Sequence, residues 1–107
     1  MALIVHELAL ELVQSLTPLM PAIARHDANL ARQLRRSASS IVLNIAEGEY
    51  SDPGTKRARF FSAAGSASET RSALRVATGW HYIDERQARE SLGLLDRVLA
   101  ILWRLTH

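Results

Sequence analysis

The chain has 107 residues, 48% hydrophobic but only 6% aromatic, with 5 Gly, 3 Pro and no Cys, and it carries 13 basic against 11 acidic side chains, a net charge of +2. That length bounds it to a single domain, 1–107, and an apolar mass of Leu, Ala, Ile and Val with few breakers is the profile of helices, not of a β-sandwich or a disordered tail. The missing cysteines exclude disulfides, thiolate nucleophiles and thiolate-ligated zinc and fit a reducing cytoplasm, and no basic segment leading into an apolar run marks a signal peptide.

The first helix is expected from about Leu3 to Leu16, because Ile4, Leu8, Leu12 and Leu16 recur four apart with Val5 and Leu19 beside them. Pro18 and Pro21 then predict a kink or a restart between Thr17 and Ala22. The longest apolar stretches meet charged residues before the roughly 18 residues of a membrane span, so no helix is expected to cross a bilayer.

Asp27 is a good N-cap for the second helix, whose inner face carries Leu30, Leu34, Ile41 and Ile45, and Gly48 reads as its C-terminal stop. Asp52 followed by Pro53 is a strong start signal for the third helix, since proline at the first helical position loses an amide that had no partner. This helix is expected to run to Gly79, with Phe60, Ala64, Ala67, Leu74 and Thr78 facing inward. Asp84 caps the fourth helix, with Glu85 favourable near its positive end, and Leu92, Leu95, Leu99 and Leu102 repeat as the seam of a bundle. No alternating strand pattern occurs. Short loops predict that successive helices pack antiparallel, giving an all-α, up-and-down four-helix bundle.

Two features predict that the bundle assembles with further copies of itself. The last helix is apolar nearly all the way round, from Leu92 to Leu105, diluted only by Asp96, Arg97 and Arg104. The second and third helices carry runs of small residues, Ser37–Ser40 and Ser62–Ser68. Gly65 within the latter costs about 1 kcal/mol against Ala, which points to a contact that needs the missing side chain.

Catalytic chemistry is not assembled. No Glu is followed by His three residues later, as a di-metal bundle requires. His6, His26, His81 and His107 lie at helix ends or junctions, and there is no phosphate-binding glycine loop, His-Glu-x-x-His or Gly-x-Ser-x-Gly. The expectation is a non-enzyme without metal or cofactor.

What remains is polar and basic. Arg32, Arg36, Ser40, Asn44 and Glu47 fall at spacings of four, four, four and three on the second helix, with Glu69 on the helix that should face it. They predict a structural ion-pair and hydrogen-bond network, in which Glu47→Ala destabilises the fold or the assembly; alternatively the arginines line a ligand or nucleic-acid surface. Residues 25–75 hold nine basic against five acidic side chains, a local excess of four. Within that region Arg35 and the cluster Lys56, Arg57 and Arg59 are the candidate phosphate contacts. Tyr50, Trp80 and Tyr82 in the loops either stack on bases or plug the bundle ends.

The segment Gln33-Leu34-Arg35-Arg36-Ser37-Ala38, with Ser40-Ile41 and Asn44-Ile45-Ala46-Glu47-Gly48, resembles the signature of the bacterial 23S rRNA intervening-sequence proteins. Phe60-Phe61, Ala64-Gly65-Ser66 and Glu69 continue the resemblance through the third helix. The opening Ala2-Leu3-Ile4-Val5-His6 departs from the aromatic-rich start common in that family. The resemblance implies a four-helix bundle that closes into a ring, commonly a homopentamer. Some relatives are encoded within insertions in the large ribosomal RNA gene, and a similar fold in diversity-generating retroelements works with a reverse transcriptase and nucleic acid. The expected function is therefore an oligomeric RNA- or DNA-binding or ribonucleoprotein accessory factor, with a scaffold that recruits a protein partner as the alternative.

Overall fold

Three aspartates set where helices begin. A helix starts with amides that have no partner inside it, and a carboxylate just ahead of the first turn accepts from one of them. Asp27 Oδ1 accepts from the Leu30 amide at 2.9 Å, Asp52 Oδ1 from the Thr55 amide at 2.9 Å and Asp84 Oδ1 from the Gln87 amide at 2.7 Å. The Gln87 side chain closes a reciprocal box by accepting from the Asp84 amide at 2.9 Å. The computed structural model describes residues 2–107. Its helices are α1 (Ala2–Leu16), α2 (Met20–His26), α3 (Ala28–Glu49), α4 (Pro53–Gly79) and α5 (Glu85–Thr106), with a single 3-10 turn (Thr17–Leu19) between α1 and α2. No strand occurs among the described residues.

The restart expected between Thr17 and Ala22 is the 3-10 turn. Pro18 and Pro21 stand early in it and in α2, where a missing amide costs nothing. With α1, the turn and α2 counted as one broken rod, the chain makes four rods. The first rod packs on α3 and α5, α3 on α4, and α4 on α5, giving an elongated four-helix bundle of 42 × 22 × 19 Å.

The core faces differ from expectation by a fraction of a turn. On α1 the buried face is Val5, Leu8, Ala9, Leu12 and Leu16, and Ile4 is 53% exposed. On α4 it is Phe60, Ala63, Ala67, Thr70, Leu74 and Ala77, spaced alternately by three and four, with Ala73 buried beside them, so the expected Ala64 and Thr78 sit at the edge. On α5 it is Ala88, Ser91, Leu94, Leu95, Val98, Leu102 and Thr106, with Leu92 and Leu99 half-buried. In each case a small or polar residue takes a seam position next to a larger apolar one, because helices that approach closely leave room there for little else.

Two stops also differ. Helix α3 passes through Gly48, which has no left-handed backbone, and ends at Glu49. A Cβ on Gly48 would lie 2.7 Å from Phe60 Cε1, so glycine serves close approach there, not termination. The left-handed residue is His81, with φ 63°, just past α4. There the Tyr82 amide donates to the Ala77 carbonyl at 2.9 Å and the His81 amide to that of Thr78 at 3.0 Å, a Schellman closure.

The run Leu3–His26 is, contrary to expectation, long and apolar enough to span a membrane by length and composition, with mean hydropathy 1.3. The 3-10 turn interrupts it, and Leu8, Leu12, Leu16, Leu19 and Ile23 spend its apolar face on the core.

Candidate nucleic-acid interface

The buried face of α3 decides what its outer face displays. With Leu34, Ala38, Ile41 and Ile45 turned inward, Arg32, Arg35, Arg36, Ser39 and Leu43 are exposed. Beside them α3 and the start of α4 enclose an open groove of about 540 Å³. Arg35, Arg36 and Arg59 line it, together with Ser39, Ser40, Leu43, Asn44 and Glu47. Its floor is fixed by hydrogen bonds. Asn44 Nδ2 donates to the Ser40 carbonyl and to Ser40 Oγ, each at 2.9 Å, and Ser66 Oγ of α4 donates to Ser40 Oγ at 3.0 Å. At one end Arg59 Nε meets Glu47 Oε2 at 3.2 Å, with both side chains about half exposed.

The four candidate phosphate contacts are not brought to one surface. Successive helical residues turn by 100°, so Arg57 and Arg59 leave α4 on nearly opposite sides. Arg59 joins Arg35 at the groove. Arg57 instead donates from Nε to the Thr106 carbonyl at 3.1 Å, with its guanidinium 5.2 Å from the Phe61 ring centroid. It therefore caps the carbonyl end of α5, a role that cations favour there. Lys56 is half-buried between these directions.

The expected polar network is likewise smaller. Ser40 and Asn44 are joined, and Glu47 is paired with Arg59, a residue assigned to the other group. Arg32, Arg36 and Glu69 are exposed and form no ion pair among the described residues; the second ion pair is Arg71 with Asp96 at 3.1 Å, between α4 and α5. The hydrogen bonds that lock helices together deeper in the fold were not singled out from sequence. Thr70 Oγ1 lies 2.7 Å from Ser37 Oγ with both residues buried, and the Ser15 and Ser91 hydroxyls are 2.7 Å apart. A hydroxyl on an otherwise apolar three-four seam, at Ser37, Thr70 and Ser91, is the signal that marks them.

Of the aromatic candidates, Tyr50 is 92% and Trp80 67% exposed, whereas Tyr82 stacks on His26 with centroids 5.0 Å apart. Among the described residues no three His, Cys, Asp or Glu side chains gather as a metal site would require. Asp52 has its carboxyl held below the ordinary value, chiefly by the Thr55 amide and then the Thr55 hydroxyl, as its capping geometry demands.

A family model described as 23S rRNA-intervening sequence protein matches residues 1–104. A crystal structure of a protein of unknown function from the S23 ribosomal protein family of Bacteroides thetaiotaomicron has the same fold. It superposes with a TM-score of 0.87 at 21% identity, covering 95% of this chain and 97% of that one. No curated protein matches the chain.

Proposed function

The chain belongs to the 23S rRNA-intervening sequence protein family, and we propose that it is a non-enzymatic, self-assembling bundle that binds RNA or DNA through the arginine groove of α3. The observation that carries this reading is the convergence of Arg35, Arg36 and Arg59 on one open groove that contains a single carboxylate, Glu47. Guanidinium groups match phosphate oxygens in pairs, and the serines and Asn44 between them add neutral donors. Such a surface recognises a phosphate backbone and reads little sequence. The family's description makes structured ribosomal-type RNA the first probe.

The proposed topology is up-and-down and antiparallel. Ser37 meets Thr70 and Ser40 meets Ser66, so partner numbers on α4 fall as those on α3 rise. The proposed assembly is a ring, with the homopentamer of the family resemblance as the expected form. Trp103 at 62%, Phe61 at 43% and Leu43 at 60% exposure supply apolar surface for it. Gly65 is consistent with it: beyond its chain neighbours and its own helical backbone, nothing lies within 4 Å of where its Cβ would be, so no packing contact across the protomer requires glycine in mid-helix. Each added copy repeats the arginine groove, which multiplies phosphate contacts on one particle.

The triple variant Arg35→Ala, Arg36→Ala, Arg59→Ala tests the reading. Anisotropy of labelled structured RNA and duplex DNA should show affinity lost by roughly an order of magnitude or more, with a shallower salt dependence, because each lost phosphate contact removes about 0.7–0.9 from the slope. Unchanged affinity would place binding elsewhere. The second reading, a scaffold for a protein partner, is favoured by exposed Tyr50 and Trp80 flanking the two ends of α4. It takes over if no nucleic acid binds even at low salt.

A further inference from the structure

A second, more apolar cleft adjoins the arginine groove. It lies where the 3-10 turn and the ends of α1 and α2 meet α3, with a volume of about 480 Å³. Val13, Leu16, Met20 and Pro21 supply one wall, Ala38 of α3 the other, and the Thr17 and Ser39 hydroxyls stand among them. No carboxylate lines it. Arg35 and Ser39 line both this cleft and the arginine groove, so an apolar slot and a cationic groove meet at one guanidinium.

We infer that the two together hold one unpaired nucleotide, its base in the apolar cleft and its phosphate between Arg35 and Arg36. The inference rests on the nucleic-acid reading above and adds which form of nucleic acid is preferred. A nucleobase has two apolar faces and a polar edge, which suits aliphatic walls with two hydroxyls, and the cleft falls within the volume range of small-ligand sites. A base in a continuous duplex is stacked and paired, and drawing it out costs several kcal/mol; a base in a loop, bulge or single strand is already free. An aliphatic ligand would use the walls but leave Arg35 and Arg36, which form no ion pair among the described residues, without a partner. The break that Pro18 and Pro21 impose on the first rod is what opens the cleft: Thr17 and Pro21, at the turn, are exposed instead of packed on α3.

The test compares fluorescently labelled oligouridine with a duplex RNA of equal length on the full chain. Thr17→Phe fills the cleft from an exposed position, and Val13→Phe fills it from α1, away from the arginine groove, should the first variant lose its helical circular dichroism. The wild type should bind oligouridine about tenfold more tightly than the duplex, the worth of one accommodated base. Filling the cleft should remove that preference while duplex affinity stays as it was. Equal affinity for the two RNAs, or an oligouridine affinity unmoved by both variants, overturns the cleft and leaves the arginine groove standing. A changed oligomer mass with unchanged RNA binding also overturns it and makes the cleft a contact between protomers. Failure of both RNAs to bind at low salt overturns both readings at once.

Discussion

A methyl group placed on Gly48 would lie 2.7 Å from Cε1 of Phe60 and 3.3 Å from Cβ of Arg59. Phe60 is 2% exposed and cannot swing aside, so the backbones of α3 and α4 would have to part. Gly48→Ala gains about 1 kcal/mol of helix propensity but incurs about 1–3 kcal/mol of overpacking, and a net loss of stability is expected. A urea midpoint that stays or rises in the variant would show that the contact yields freely. Glu47, one residue earlier, is a milder case. Its ion pair with Arg59 joins two half-exposed side chains, so Glu47→Ala should cost a single protomer no more than about 1 kcal/mol. Asp52 makes a pH-dependent contribution. Its carboxyl is held below the ordinary value in the folded chain, so the stabilisation is complete above the unfolded carboxyl's range and is lost as pH falls through the folded value. The gap in melting temperature between wild type and Asp52→Ala should therefore shrink on acidification below that range. A gap that is constant with pH would mean the carboxylate's charge plays no part in the cap.

At the scale of elements, hydroxyls set how α3 and α4 mate. The fully buried Thr70 hydroxyl lies 2.7 Å from Ser37 Oγ and 2.8 Å from the Ser66 carbonyl, within hydrogen-bonding distance of both. Ser37→Ala and Thr70→Val should each lower stability by about 1 kcal/mol, and the double variant by less than their sum, because each single change leaves the other hydroxyl short of a partner. Strict additivity in denaturation would show that the two groups do not interact. Helix number, capping and the break in the first rod were legible in the sequence, since Asp27, Asp52, Asp84 and the two prolines act within one turn of themselves. The inward faces of α4 and α5 were less so. Ala63, Thr70 and Ser91 occupy seam positions because of what sits across the interface, which periodicity weighted by residue size does not register. The site divided the same way. Arg35 could be placed on an outer face from the apolar period of α3, but Arg57 and Arg59 looked like one patch until the carbonyl end of α5 and the Glu47 carboxylate were in position to separate them.

For the whole molecule, charge distribution matters more than net charge. An overall +2 would attract a polyanion weakly. Placing Arg35, Arg36 and Arg59 on one groove concentrates that charge, and a ring of protomers would repeat it around a common axis. We propose that phosphate binding by this groove, repeated around the assembly, is what the bundle does. The most direct measurement is the affinity of the intact protein for a labelled structured RNA as a function of salt between about 50 and 200 mM. Log affinity should fall in a straight line against log salt, steeply enough to reflect several phosphate contacts, with a shallower line for the triple arginine variant. Binding that ignores salt, or a slope that the variant leaves unchanged, would contradict it.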